Sequence, residues 1–139
     1  MNQDRYVAHG LVSKDSSYLF LRRRDGRYLG GQWDIPGGTV EDGESSENAA
    51  VRECFEETGL EARCGELISH YTNLDTEGRN FTFHTMTYKL LLTENGSNPQ
   101  IKISQDEHDD AKWLSIDDAL GLPLVWHVLQ TLDLVRSKE

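Results

Sequence analysis

The chain has 139 residues, of which 24 are acidic and 14 are basic, so its formal net charge at pH 7 is −10. This length predicts one domain, residues 1–139, with enough chain for a hydrophobic core. The negative charge argues against a nucleic acid polymer as partner, and the lack of a long apolar run argues against a membrane partner.

The two cysteines indicate a reducing compartment. Cys54 and Cys64 have neither the spacing of a zinc site nor that of a disulfide framework, so we expect both to be free thiols. The first ten residues do not combine basic and apolar segments as a secretion signal does. We therefore expect a cytoplasmic protein, whereas nothing in the sequence indicates an oligomeric state.

The N-terminal part predicts a β-hairpin followed by a basic segment. The apolar runs 6–12 and 18–21 are separated by the polar stretch 13–17, which is typical of a hairpin. The basic segment is either a solvated strand end or a phosphate-binding group, because a planar guanidinium matches phosphate oxygens. Its arginines are Arg22, Arg23, Arg24 and Arg27.

Residues 30–38, with the sequence GGQWDIPGG, predict a short extended segment between tight turns. The glycines at both ends allow close backbone approach. Pro36 presets the backbone at a strand end. Trp33 is expected in the core rather than as a platform for a ligand.

Residues 46–58 predict an α-helix with a recognisable start and end. Ser45 is a good N-cap residue, and Glu47 in the first turn suits the positive end of the helix dipole. Gly59 follows the last turn, where a left-handed residue commonly closes a helix.

The faces of this helix differ sharply. Glu53, Glu56 and Glu57 fall within one arc of about 100°, and like charges at this spacing repel one another. This arc is either a solvated acidic face or a site for a hard cation such as Mg²⁺. On the opposite side, we expect the helix to pack against a sheet through Val51, Cys54 and Phe55.

The second half of the chain predicts two longer strands, 62–71 and 80–92, joined by the turn-rich segment 73–78. Apolar residues on both faces of the second strand indicate that it is covered on two sides. Phe81 and Phe83 share one face, where either could stack on a base, although core packing is the stronger expectation. His84 is expected to be an ordinary polar strand residue.

The C-terminal part predicts two loops and two helices. Residues 94–99 and the acidic run 105–110 are expected to be loops. Ser115 is expected to cap a short helix that ends at Gly121, and Pro123 is expected to open a last helix. That helix carries an apolar stripe predicted to be core: Leu124, Val125, Val128, Leu129, Leu132 and Val135.

Strands before, between and after two main helices indicate a mixed sheet between helical layers, in the α/β or α+β class. A further pattern runs through the first main helix. Gly38, then Glu44, then residues 52–60 (RECFEETGL) resemble the Nudix box, which reads Gly, five residues, Glu, seven residues, Arg-Glu-apolar-x-Glu-Glu-x-Gly-apolar. Every fixed position of this long pattern is filled, with Cys54 as the small apolar residue.

The resemblance implies a Nudix-type α/β/α sandwich and a MutT-like, metal-dependent pyrophosphohydrolase. By the same resemblance, Mg²⁺, for which Mn²⁺ can substitute, is held by box and loop residues: Gly38, Glu53, Glu56, Glu57 and Glu107. For the loop position, the neighbouring Asp106, Asp109 and Asp110 are alternatives to Glu107.

The remaining roles also follow from the resemblance. Glu53 and Glu107 are alternative general bases, and Arg52 orients Glu53 through a charge-assisted bond. The resemblance implies Arg23, facing the phosphates, and Glu44, supporting the loop or a second metal through water, in substrate binding. Phe83 is the further substrate-binding residue, chosen because its ring could stack on a base.

The implied substrate is a small nucleotide, either a nucleoside triphosphate cleaved to monophosphate and pyrophosphate or another nucleoside diphosphate linked to a group X. Clearing oxidised or non-standard nucleotides is one such role, although residues 120–128 lack the Asn that reads the base in the oxidised-guanine enzyme this chain most resembles. Two alternatives stay open, a Nudix fold that binds a nucleotide or sugar nucleotide without cleaving it and a purely structural metal site.

Overall fold

A computed structural model describes residues 3–75, 77–93 and 100–138. The elements in chain order are seven strands and three helices in these ranges: β1 (Gln3–Lys14), β2 (Ser17–Arg23), β3 (Trp33–Asp34), β4 (Gly37–Thr39), α1 (Ser46–Thr58), β5 (Ala62–Leu74), β6 (Phe81–Leu92), β7 (His108–Leu114), α2 (Ile116–Ala119) and α3 (Trp126–Ser137). The expected loop 94–99 lies outside the described residues.

The strands form one mixed sheet. Its main path runs β3-β2-β1-β6-β5, while β4 pairs with β1 and β7 pairs with β2. Strands β1 and β6 are parallel from Gln3↔Phe81 to Ser13↔Leu91, and the other pairings are antiparallel. The expected hairpin of β1 and β2 is confirmed.

The sheet splits between β1 and β2, and this split creates the site described below. These two strands pair only beside their connecting turn, at 13–14 and 17–18. Beyond it, β3 pairs with β2 and β4 pairs with β1, so residues 33–39 lie between the two diverging strands. The Gly10 N–H donates to the Pro36 carbonyl oxygen at 2.8 Å across this insertion.

Helices cover both faces of the sheet. Leu19 and Leu21 belong to a core that includes Ala50 and Cys54 of α1. Phe20, which points to the other face, joins a core that includes α3. Each such side chain, fully buried, contributes about 1.5–3 kcal/mol to the free energy of unfolding. The expected α/β/α sandwich with a mixed sheet is confirmed.

Helix α1 has the predicted bounds and caps. The Ser45 hydroxyl accepts a hydrogen bond from the Asn48 N–H at 3.1 Å. Gly59 has a φ of 76°, and its N–H donates to the Phe55 carbonyl oxygen at 2.8 Å. Both caps satisfy backbone groups that have no partner within the helix.

The expected packing face of α1 is only partly right. Cys54 is fully buried and Val51 is half-buried against the core, but Phe55 is 52% exposed. The buried stripe is Ala49, Ala50, Cys54, Glu57 and Thr58. Phe55 lies about 135° from the centre of that stripe, and Glu57 lies within it. Glu57 is therefore turned inward rather than sharing the exposed acidic face.

Three predictions for the C-terminal part need correction. Strand β7 begins at His108, inside the acidic run expected to be a loop, because it pairs with β2. Helix α2 ends at Ala119, before Gly121. Leu129, expected in the core, is 42% exposed.

The last helix begins at Trp126 rather than at Pro123. The segment before it pairs with Trp33, whose N–H donates to the Pro123 oxygen at 2.7 Å and whose oxygen accepts from the Val125 N–H at 2.9 Å. These bonds hold residues 123–125 extended. Within the described ranges 3–75, 77–93 and 100–138, no helix is long and apolar enough to span a membrane.

Candidate active site

A cleft of about 770 Å³ opens where residues 33–39 separate β1 from β2. Its walls include the first residues of β4, the polar side of α1 and the start of β7. Six of the residues predicted from the sequence line it: Arg23, Gly38, Arg52, Glu53, Glu57 and Glu107.

Arg52 is the centre of a carboxylate network on α1. Its Nε and Nη2 donate to the two oxygens of Glu44 at 2.7 and 3.0 Å. Its Nη1 donates to Glu53 at 2.6 Å and to Glu56 at 3.0 Å. The bond to Glu44 is the main reason that the pKa of Arg52 is raised, and it lowers the pKa of Glu44. Arg52 therefore fixes the position of Glu53 while remaining fully charged.

Glu53 lies against the backbone of β4. A Cβ added at Gly38 would overlap the Glu53 carboxyl group and lie 3.1 Å from its Cγ. Burial raises the pKa of Glu53, as does its hydrogen bond with Glu56, whereas Arg52 acts in the opposite direction. The glycine thus leaves the space that this carboxyl group occupies.

Glu57 is the most deeply buried carboxyl group of the helix, at 6% exposure. It accepts a hydrogen bond from the Gly37 N–H at 3.1 Å. Burial raises its pKa to about 9, and the charges of Glu53, Asp34 and Glu107 add to the effect. Ionising Glu57 therefore costs free energy unless a cation neutralises it.

The donor atoms around Glu57 fit a divalent cation. Ligand atoms of Glu57, Glu107 and His108 lie within 4.8 Å of one another. Burial lowers the pKa of His108, so its imidazole is available in the neutral form that binds metals. A set dominated by carboxylate oxygens suits a hard ion such as Mg²⁺ or Mn²⁺.

Three predicted residues lie outside the cleft lining. The Glu56 side chain is 55% exposed and reaches the cleft only through Arg52 and Glu53. Glu44 is held under Arg52 and accepts the Glu41 N–H at 3.1 Å. Phe83 lies two residues from the cleft residue Thr85 on β6, with its ring edge-to-face with Phe81 at 6.1 Å.

Arg23 is turned towards the inserted segment. Its Nη1 donates to Asp34 at 3.1 Å, and its Nε donates to the Tyr28 carbonyl oxygen at 2.7 Å. It lines the cleft with Arg27, whose Nε donates to the Asp106 carbonyl oxygen at 3.0 Å. The cleft therefore has a basic wall as well as a carboxylate wall.

Sequence reasoning missed four buried ionisable residues of the cleft: His9, Asp34, His108 and His127. Asp34 stands between Trp33 and Pro36 in the segment that was predicted only as a turn-flanked strand. His108 lies in the acidic run, and His127 lies in the last helix, where only the apolar stripe and the lack of Asn were noted. Nothing local marks His9, which is one polar residue in an apolar strand.

Comparison with known proteins gives the family. A family model described as the NUDIX domain matches residues 3–133. The chain is 33% identical over 114 residues to the ADP-ribose pyrophosphatase of Methanocaldococcus jannaschii, across 82% of this chain and 62% of that protein. It is 30% identical over 118 residues to the CTP pyrophosphohydrolase of Escherichia coli (strain K12), across 85% of this chain and 81% of that protein.

Solved structures agree on the fold. The crystal structure of the MutT protein from Methanosarcina mazei Go1 superposes with a TM-score of 0.80 at 23% identity, over 99% of this chain and 97% of that one. The chain spans less than two thirds of the M. jannaschii relative and about four fifths of the E. coli one. The family match and these identities show that the chain belongs to the Nudix family.

Proposed function

We propose that this chain is a Mg²⁺-dependent pyrophosphohydrolase that cleaves a nucleoside triphosphate into a nucleoside monophosphate and pyrophosphate. The observation that carries the proposal is the cleft itself, where Glu53, Glu57 and Glu107 face the same space as Arg23. A phosphate chain needs both walls, cationic groups for its outer oxygens and carboxylates for the metal that neutralises the rest.

Glu57, Glu107 and His108 would hold the cation, together with Glu53, the exposed Glu56 and the Gly38 carbonyl. When bound, Mg²⁺ or Mn²⁺ neutralises phosphate oxygens and lowers the pKa of water. The buried Glu57 supports this assignment, because burial raises its pKa to about 9 and ionisation of its carboxyl group therefore needs a neutralising charge nearby. A cation bound beside Glu57 would offset the free-energy cost of ionising that side chain.

Glu53 is the first candidate for general base and Glu107 the second. Arg52 holds the Glu53 carboxylate at 2.6 Å, and burial raises the pKa of Glu53, which makes its ionised form a stronger base. A water molecule is the expected nucleophile, because no Ser or Cys is among the described residues that line the cleft. Cys54 is buried, and burial raises the pKa of its thiol to about 11.

Arg23 and Arg27 would bind the outer phosphates, since both guanidinium groups line the cleft. The hydrogen bonds from Arg23 to Asp34 and Tyr28 fix its orientation before substrate arrives. Trp126 supplies a 42% exposed aromatic surface at the same cleft, large enough to contact a nucleobase.

The test is hydrolysis of a substrate panel in ¹⁸O-labelled water with Mg²⁺, followed by mass spectrometry of the products. The panel contains the common nucleoside triphosphates, oxidised guanine triphosphate and ADP-ribose, because the named relatives differ in substrate. We expect nucleoside monophosphate and pyrophosphate from a triphosphate. Glu53→Gln is the matched control for contaminating enzymes.

Other products would change the proposal in defined ways. Release of orthophosphate with nucleoside diphosphate would mean that the phosphate chain binds in another register. The assignment of Arg23 to the outer phosphates would then be wrong. Cleavage of ADP-ribose alone would reassign the substrate to a nucleoside diphosphate linked to a sugar. Binding without turnover across the panel would favour a non-catalytic module.

A further inference from the structure

A second polar cluster lies in the cleft, apart from the carboxylates of α1. Its members are His9 of β1, Asp34 of β3 and His127 of α3, which are 7%, 3% and 5% exposed. Three separate elements therefore bring two imidazoles and one carboxylate to one buried point. All three residues also line the cleft, so the point is reachable from solvent.

The spacing of their atoms is wider than hydrogen bonding requires. His127 Nε2 lies 3.6 Å from Asp34 Oδ1, and His9 Nε2 lies 3.8 Å from the same oxygen. One ligand atom from each of the three lies within 4.8 Å of the others. Ligands that share one cation at bond lengths of about 2.0–2.2 Å are roughly 3–3.5 Å apart. The two separations from Asp34 therefore need to close by a few tenths of an ångström, and the two imidazoles need to approach each other by at most about 1–2 Å.

Neither imidazole has a hydrogen-bond partner among the described residues. The Nδ1 atoms of His9 and His127 are buried and unpartnered, and their Nε2 atoms face Asp34 across the gaps just given. The two rings pack at 4.5 Å between centroids with a tilt of 52°. Buried polar groups are normally paired, so two buried Nε2 atoms aimed at one carboxylate oxygen from beyond hydrogen-bonding distance point to a ligand that all three groups can share.

The charges favour neutral nitrogen donors. Burial lowers the pKa of His9 to about 4 and also lowers that of His127. Both rings are therefore neutral near pH 7, which is the form that binds metals. Asp34 is fixed because Oδ1 accepts the Ile35 N–H at 2.8 Å and Oδ2 accepts from Arg23 at 3.1 Å.

The donor atoms decide which ion the cluster can hold. The positive charge of Arg23 opposes the binding of every dication beside Asp34, so the ligands must offset that cost. Mg²⁺ depends on oxygen ligands and keeps its waters, and this cluster offers it one carboxylate. Ions that bind imidazole strongly gain from the two nitrogen ligands. We propose that His9, Asp34 and His127 form a second metal site that takes Zn²⁺ or a similar imidazole-binding dication and discriminates against Mg²⁺.

The first test uses the unmodified protein. After chelation, it is saturated with Mg²⁺ and titrated with Zn²⁺ while the imidazole nitrogens are followed by long-range ¹H–¹⁵N NMR. We expect one equivalent of Zn²⁺ to shift the nitrogen signals of His9 and His127. Shifts confined to His108, which belongs to the carboxylate site, or to the hydrogen-bonded pair His70 and His84 would overturn the proposal.

The second test compares matched variants. His127→Gln removes one ligand, and His70→Gln removes a histidine outside the cluster. Competition with a coloured chelator in excess Mg²⁺ should show Zn²⁺ affinity reduced on the order of a hundredfold in His127→Gln only. Equal Zn²⁺ affinities in the two variants, or no Zn²⁺ binding by the unmodified protein, would contradict the proposed second metal site. If circular dichroism shows that His127→Gln does not fold, the NMR titration of the unmodified protein alone decides whether the site exists.

Discussion

Replacing Gly38 by alanine tests whether the position of Glu53 matters for catalysis. Gly38 lies in β4, opposite Ala8 of β1, in extended backbone that alanine accepts. The three atoms nearest to the new methyl group would all belong to the flexible Glu53 side chain. The substitution therefore moves the carboxyl group and leaves the fold in place.

The expected loss of catalytic rate and the expected change in stability follow from this geometry. To restore ordinary contact distances, the carboxyl group must move by about 1 Å, and a misplacement of that size costs about a hundredfold in rate. The free energy of unfolding should change by less than about 1 kcal/mol, because alanine also reduces the freedom of the unfolded chain. Catalytic activity should therefore fall while the free energy of unfolding stays nearly unchanged.

The assay measures kcat with Mg²⁺ and the best substrate of the panel, beside the melting temperature of each variant. Gly121→Ala is the neutral control, since its Cβ would lie 3.4 Å from the Asp118 oxygen. Gly37→Ala is the opposite control, because its Cβ would overlap the His9 ring and lie 2.6 Å from the Ala8 oxygen. We expect that variant to lose stability.

Two results would refute the reasoning. Normal turnover by Gly38→Ala would mean that Glu53 tolerates displacement and is neither base nor ligand. A melting temperature as low as that of Gly37→Ala would mean that the backbone, rather than the carboxyl group, gives way. A loss of turnover at unchanged stability is the outcome that supports Glu53 as a catalytic residue.

Three further predictions concern charge and metal. Glu53→Gln should lower turnover on the order of a hundredfold while the melting temperature holds or rises slightly; near-normal kinetics would remove Glu53 from the mechanism. Mg²⁺ at a hundred times its dissociation constant should stabilise the fold by about 2.7 kcal/mol, seen by calorimetry as a rise of several degrees in melting temperature that chelation reverses; an unchanged transition would count against a preformed site. The hydrogen bonds from Arg79 hold the pKa of Asp75 well below its ordinary 3.8, so the stability it adds is present above that value and is lost as the pH falls through the folded pKa. The stability difference between the protein and Asp75→Asn should shrink below pH 3.8, and a constant difference would contradict this.

Local signals explain what could be predicted. Ser45 and Gly59 mark the ends of α1 through bonds within one or two turns, and the structure agrees at both ends. The box residues are placed by the same helix and by the turn before it, so most of them meet in one cleft. Helical spacing alone could not identify which arc faces the sheet, and Phe55 was therefore assigned to the wrong side.

The errors and omissions arise from contacts between distant segments. Residues 123–125 are extended because they pair with Trp33, a bond that no local pattern encodes. His108 is a strand residue because β7 pairs with β2 across the sheet. His9, Asp34 and His127 meet only after the chain has folded, so none of them stood out by spacing.

The parallel pairing of β1 with β6 has a consequence for how the chain folds. The first strand of the sheet pairs along eleven positions with a strand made after α1 and β5. Such contacts raise the contact order, because a long loop must close before they form. During synthesis, β1 can form its hairpin with β2 early, but one of its edges stays without a partner until β6 has emerged. Refolding should therefore be slower than in a helical protein of this size, and an unpaired β1 is the stage most exposed to aggregation.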